Sequence, residues 1–161
     1  MEDINILEIK NLTIKIEDNT IVSNLNFKVK KGETLAVIGP NGAGKSMLFR
    51  ALLGLVPFRG EIKWAPEVKI GYVPQKLSIE KSFPLSVSEF LKFKDDGKGI
   101  KEALVLTGLS DKKILNKTLG TLSGGELQRV LIAWSMLDNP NVILFDEPLT
   151  GIDIGGEETI Y

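Results

Sequence analysis

Eight consecutive residues, Gly39-Pro40-Asn41-Gly42-Ala43-Gly44-Lys45-Ser46, match the spacing G-x-x-x-x-G-K-[ST] at every fixed position. The glycine types at Gly39, Gly42 and Gly44 let a backbone curl until its N–H groups point inward at phosphate oxygens. Lys45 adds a cation for the β- and γ-phosphates, and the Ser46 hydroxyl is a hard oxygen ligand suited to Mg²⁺. A helix starting there adds its positive end to the same anion. The chemistry these residues point to is the binding of a Mg²⁺–nucleoside triphosphate, held by Gly39, Asn41, Gly42, Ala43, Gly44, Lys45, Ser46 and Met47.

Two further groups fit that chemistry. Val142-Ile143-Leu144-Phe145-Asp146-Glu147 is a short apolar run ending in two carboxylates. In a parallel sheet the carboxyl ends of strands form the ligand crevice. Asp146 there is a Mg²⁺ ligand through water, and Glu147, which points differently, is a candidate to polarise an attacking water. The second group is Leu122-Ser123-Gly124-Gly125-Glu126, directly before a strongly periodic segment. Ser123 and Glu126 have capping-box spacing. A capping box does not account for two consecutive glycines, which weaken the first helical turn. Exposed N–H groups at a helix start do account for them, as a second anion-binding element made by Ser123, Gly124, Gly125 and Glu126.

These groups need a scaffold, and the hydrophobic patterning supplies one. Ile4 to Ile16 and Ile21 to Lys30 alternate apolar and polar residues, as strands do, with a turn at Lys30 to Glu33. Thr34 to Ile38 reads as a short strand buried on both sides, directly ahead of the glycine loop. Ser46 to Leu55 has helical spacing through Met47, Leu48, Ala51, Leu52 and Leu55, and ends at Val56-Pro57. Gly60 to Trp64, Val68 to Val73 and Val142 to Phe145 are further strands. Residues 76 to 122 change texture, with turns and helical patches at Val87 to Lys94 and Ile100 to Leu106. Glu126 to Leu137 repeats Leu127, Val130, Leu131, Trp134 and Leu137 at helical spacing. The expected fold is α/β: a P-loop core with an antiparallel N-terminal β part and a mostly helical insert. It forms one domain over residues 1–161, with a helical subdomain at 76–137.

Composition narrows the function further. With 161 residues, 43% of them hydrophobic, the chain can bury a core of its own. A net charge of −1, with no long basic run, gives no electrostatic footprint for nucleic acid. The chain has no cysteine, so disulfides and thiolate metal sites are excluded. It has no histidine either, so an imidazole base, a histidine metal site and a Ser-His-Asp triad are excluded within it. The acidic start Met1-Glu2-Asp3 lacks the features of a secretory signal, and no apolar run approaches a membrane span. A role at a membrane therefore calls for a separate membrane subunit.

Taken together, the motifs resemble the ABC ATPases, the nucleotide-binding domains of ABC transporters. The resemblance rests on GPNGAGKS at Gly39–Ser46, Gln75 in Gly71-Tyr72-Val73-Pro74-Gln75, LSGGELQR at Leu122–Arg129, Asp146-Glu147-Pro148, and Leu149-Thr150-Gly151-Ile152-Asp153. They stand in the family's order over nearly the whole chain. The resemblance implies ATP and Mg²⁺ as ligands, with Ser46, Gln75 and Asp146 serving the metal, and Glu147, Gln75 and Lys45 as catalytic residues. It implies a second ABC ATPase subunit, most simply a second copy, whose ATP the Ser123–Glu126 segment would close over. It also implies an integral membrane transporter subunit, docked near residues 76 to 90, including Phe83, Pro84, Leu85 and Val87. Those four are equally expected as plain core of the helical subdomain.

The implied place of action is the cytoplasmic face of the cell membrane, as a peripheral subunit of an importer. Ile70 to Gln75 followed by Phe83 to Val87 is similar to ATPases of zinc- and manganese-type uptake systems. Two departures from the family pattern stand out. Ile16 occupies the position where many members stack an aromatic residue on adenine. The family's further strand, ending in a histidine, is expected after residue 153, and the chain ends at Tyr161 with no histidine; it therefore reads as C-terminally truncated. The alternatives are a non-hydrolysing ATP-binding or regulatory module and an ABC ATPase that acts outside transport.

Overall fold

The computed structural model of the chain describes residues 4–75 and 77–147. They fall into two compact units, one up to Val68 and one from Lys69 onward.

The first unit is built on strands β1 (Asn5–Ile16), β2 (Asn19–Lys30) and β3 (Arg59–Trp64), in the antiparallel order β2-β1-β3. Strict alternation would send Leu7 and Ile9 to one face and Leu12 and Ile14 to the other. All four are buried. The register shift between Ile9 and Leu12, with Asn11 at φ 50°, inserts the extra residue that restores the phase. Helix α1 (Lys45–Leu52) packs against β1, burying Leu48, Ala51 and Leu52. The Trp64 indole N–H donates to the Leu52 carbonyl at 3.1 Å, tying the helix end to β3. The helix is shorter than its sequence pattern suggests: the chain leaves it at Leu53 and Gly54 (φ 70°), so Leu55 is exposed.

The largest difference from the sequence expectation lies at residues 34–38. They form no strand; Leu35 is half-exposed and Ile38 is 92% exposed. A strand needs a neighbour to complete its ladder of N–H and C=O groups. The two ladders among the described residues join β1–β3 and the strands of the second unit, and neither includes this run.

In the second unit β4 (Ile70–Val73) and β5 (Val142–Phe145) pair in parallel, with Gly71 opposite Ile143 and Val73 opposite Phe145. Between them the chain forms α2 (Val87–Lys92), α3 (Ile100–Leu106), 3-10 turns at Lys112–Asn116 and Leu119–Thr121, and α4 (Gly124–Met136). Helix α4 is apolar on two sides. Val130, Ala133 and Leu137 join Val87, Leu91 and Leu104 in a helical core, while Leu131 and Ile132 lie on Val73. The second contact is close: a Cβ on Gly71 would lie 2.5 Å from the Ser135 carbonyl oxygen, so only glycine fits there. Trp134 stacks on Phe90 with ring centroids 5.6 Å apart, and the Lys94 ammonium lies 4.4 Å above the Trp134 ring.

Candidate functional site

In the first unit the glycine loop runs straight into α1. Gly42 (φ 83°) and Gly44 (φ 89°) are both left-handed, a conformation that costs an L-residue roughly 1–2 kcal/mol. Gly44 is constrained a second time, because a Cβ there would lie 2.7 Å from Ile21 Cγ2. Above Gly42 the space is open. The Lys45 side chain folds back over the loop, and its ammonium donates to the carbonyls of Gly39 (2.9 Å) and Pro40 (3.1 Å). The Ala43 N–H donates to the Pro40 carbonyl at 3.1 Å, closing the turn that carries Asn41 and Gly42. Ser46 and Met47 follow in the first turn of α1.

This cradle fits a polyphosphate. Gly44 is the N-cap of α1 and provides no side-chain cap for the first-turn amides, and that turn carries no acidic residue. A cation folds over the loop, and the space beside Gly42 is open. Ile16, at the end of β1, is 43% exposed beside the hairpin turn.

In the second unit the parallel pair places the other candidates. Asp146 follows β5 directly, and its N–H donates to the Val73 carbonyl at 2.9 Å, extending the β4–β5 ladder by one bond. The residue is 3% exposed, and its carboxylate accepts from the Tyr72 hydroxyl at 3.4 Å. Glu147 turns away at φ 49°, so successive carboxylates take different directions. Its carboxylate accepts a hydrogen bond from the Gln75 amide. Gln75 lies two residues past the end of β4 and Glu147 two past the end of β5, so parallel pairing carries both to one end of the sheet. Tyr72 was not among the residues expected from sequence; its contact with Asp146 follows from cross-strand register, which short motifs do not encode.

The donor types at Ser46, Gln75 and Asp146 are all oxygen, the set that suits Mg²⁺. Among the described residues no three carboxylate, histidine or cysteine groups gather into a metal cluster.

Ser123 is the N-cap of α4, and the capping box forms in both directions. The Ser123 N–H donates to Glu126 Oε2 at 2.8 Å, and the Glu126 N–H donates to Ser123 Oγ at 3.2 Å. The second Glu126 oxygen, Oε1, lies 2.7 Å from the Lys117 ammonium. Lys117 and the Ser123 amide hold the Glu126 carboxyl below its ordinary range. A Cβ on Gly125 would meet nothing within 4 Å, and its φ is not left-handed, so neither packing nor backbone demands glycine there. Lys117 was also missed from sequence, since a loop and a 3-10 turn separate it from its partner.

Of the four residues open to two readings, Val87 is fully buried and Leu85 packs against the helical core, whereas Phe83 and Pro84 are exposed. Pro148 and the segment from Leu149 to Asp153 lie outside the described residues. Among those described, no helix is long and apolar enough to cross a membrane.

The family model described as "ABC transporter" matches residues 22–150. The chain is 41% identical over 157 residues to the zinc import ATP-binding protein ZnuC 1 of Hahella chejuensis, covering 97% of this chain and 61% of that protein. It is 37% identical over 159 residues to the zinc import ATP-binding protein ZnuC of Buchnera aphidicola, covering 98% of this chain and 67% of that one. Among solved structures it is similar to a bacterial Atm1-family ABC exporter with ATP bound, with a TM-score of 0.82 at 27% identity, over 96% of this chain and 31% of that one.

Proposed function

The chain belongs to the ABC transporter family and has the P-loop NTPase fold of its ATP-binding domains, and we propose that it is the ATP-binding and ATP-hydrolysing part of a subunit that powers an importer. Residues 1–161 form one ABC ATPase domain in this reading, with a helical subdomain at 76–137. The partners are a second copy of the subunit and a separate integral membrane subunit, with no nucleic acid. The place of action is the cytoplasmic face of the membrane. A metal ion is the proposed cargo, on the likeness to proteins named for zinc import.

ATP binds with its phosphates in the Gly39–Ser46 loop, where Lys45 neutralises charge on the β- and γ-phosphates and the loop amides and α1 hold the oxygens. Ile16 offers the base an aliphatic contact in place of a stacking ring. Mg²⁺ would be held by Ser46, by Gln75 and, through water, by Asp146, and would supply charge neutralisation at the transferring phosphoryl group. Two subunits close over two ATP molecules, with Ser123 and Gly125 of one meeting the γ-phosphate held by the other. Glu147 orients a water and accepts its proton during in-line attack, so most of the rate comes from positioning and charge.

The observation that carries this reading is the meeting of Gln75 and Glu147 past the carboxyl ends of β4 and β5. It brings together the carboxylate and the amide to which this reading assigns the attacking water. The test uses the full-length protein with Mg²⁺–ATP. Wild type hydrolyses ATP, whereas Glu147→Gln binds it and accumulates as an ATP-bound dimer. Normal turnover by Glu147→Gln would remove the glutamate from its role. Co-purification with ribosomes rather than a membrane protein would move the function outside transport.

A further inference from the structure

Glu126 presents a difficulty for an anion-binding helix end. Its carboxylate lies one residue after Gly125, in the same first turn whose amides are proposed to meet a phosphate. A full negative charge there repels a polyanion, although it serves the capping box. The structure offers a compensation. Glu126 uses both oxygens: Oε2 takes the Ser123 N–H at 2.8 Å, and Oε1 takes the Lys117 ammonium at 2.7 Å.

Lys117 is itself fixed from behind. Its carbonyl accepts the Val87 N–H at 2.9 Å, the Leu119 N–H donates to the Leu85 carbonyl at 2.9 Å, and Ser86 and Thr118 form an antiparallel bridge between them. Val87, Leu85 and Leu119 all belong to the helical core. The base of the Lys117 side chain is therefore anchored, and its reach toward Glu126 is set by the fold.

We propose that Lys117 is a positioning and charge-compensating residue for the Ser123–Glu126 segment, cancelling the Glu126 charge so that the amide end of α4 accepts the γ-phosphate of ATP bound to a second copy. The inference rests on the proposed head-to-tail pairing. It differs from a stability role: an ion pair this exposed contributes little to folding, but the field at the helix end changes by a whole charge when Lys117 is removed.

The experiment uses the full-length protein in a Glu147→Gln background and measures ATP-driven dimerisation by analytical ultracentrifugation, with ATP binding to the monomer measured separately. Lys117→Ala weakens dimerisation about tenfold, the order expected of an uncompensated charge facing a polyanion, and leaves monomer ATP binding and the thermal midpoint unchanged. Lys117→Arg restores dimerisation. So does Glu126→Gln placed on top of Lys117→Ala, because it removes the charge while keeping a side-chain acceptor for the Ser123 amide. The defect also shrinks in high salt. Wild-type dimerisation by Lys117→Ala, or no rescue by Glu126→Gln, overturns the proposal. Failure of the Glu147→Gln parent to dimerise at all would instead overturn the pairing on which it rests.

Discussion

The side-chain amide of Gln75 donates a hydrogen bond to the carboxylate of Glu147, joining two residues 72 positions apart in the chain. The contact exists because β4 and β5 are parallel neighbours, so residues at equal offsets past their ends arrive side by side. An amide pinned to one carboxylate oxygen orients the other. In the proposed mechanism Gln75 would thereby aim Glu147 as well as serve the metal.

Glu147→Gln keeps the shape of this pair and removes the proton acceptor. The expected loss in turnover is about 10²–10⁴-fold, the range for deleting a general base, with ATP affinity unchanged. Single-turnover hydrolysis alongside a nucleotide-binding titration separates the two quantities. Equal losses in both would mean the glutamate acts in binding.

Lys45→Ala removes the cation that bridges the loop carbonyls of Gly39 and Pro40. Loss of a charge-assisted contact to phosphate costs about 1.5–3 kcal/mol per bond, and the lysine serves two phosphates. ATP binding is expected to fall at least about a hundredfold, as measured by fluorescence titration. Unaltered affinity would show that the loop is not the nucleotide site.

Gly44→Ala tests the loop's backbone. The variant must hold φ near 89° with its Cβ 2.7 Å from Ile21 Cγ2. The expected destabilisation is about 1–3 kcal/mol, seen as a lower urea midpoint and accompanied by weaker ATP binding. A midpoint equal to wild type would mean that the turn relaxes at no cost.

The Glu126 carboxyl titrates below its ordinary value of 4.5 because Lys117 and the Ser123 amide favour its charged form. A lowered folded-state pKa means that the group's contribution to stability is complete above the unfolded value and is lost as pH falls through the folded one. Carboxyl chemical-shift titration is expected to place the midpoint below 4.5, and Lys117→Ala to raise it toward the ordinary value. A midpoint that ignores Lys117 would show that the ion pair does not form in solution.

The sequence by itself determined the parts whose causes are local. The Gly39–Ser46 loop, the Ser123–Glu126 capping box and the helical period of α4 depend on residues within a few positions of one another. Those offsets are visible in a one-dimensional chain. The chain spans 61% and 67% of the two curated relatives compared with it, and that stretch holds every motif on which the family resemblance rests. Tertiary structure alone decided where separate segments meet. Thr34 to Ile38 has the composition of a buried strand but no ladder partner among the described residues, and pattern cannot supply one. Leu85 and Val87 enter the helical core while Phe83 and Pro84, in the same apolar run, stay exposed, because the 117–119 segment pairs with the backbone of the first two. Asn11 shifts the phase of β1, a bulge that alternation alone misreads. The Gln75–Glu147 and Lys117–Glu126 contacts likewise depend on chain reversals that no short spacing records. Local propensity names the elements, but which side chains face each other depends on how strands and turns return the chain to itself.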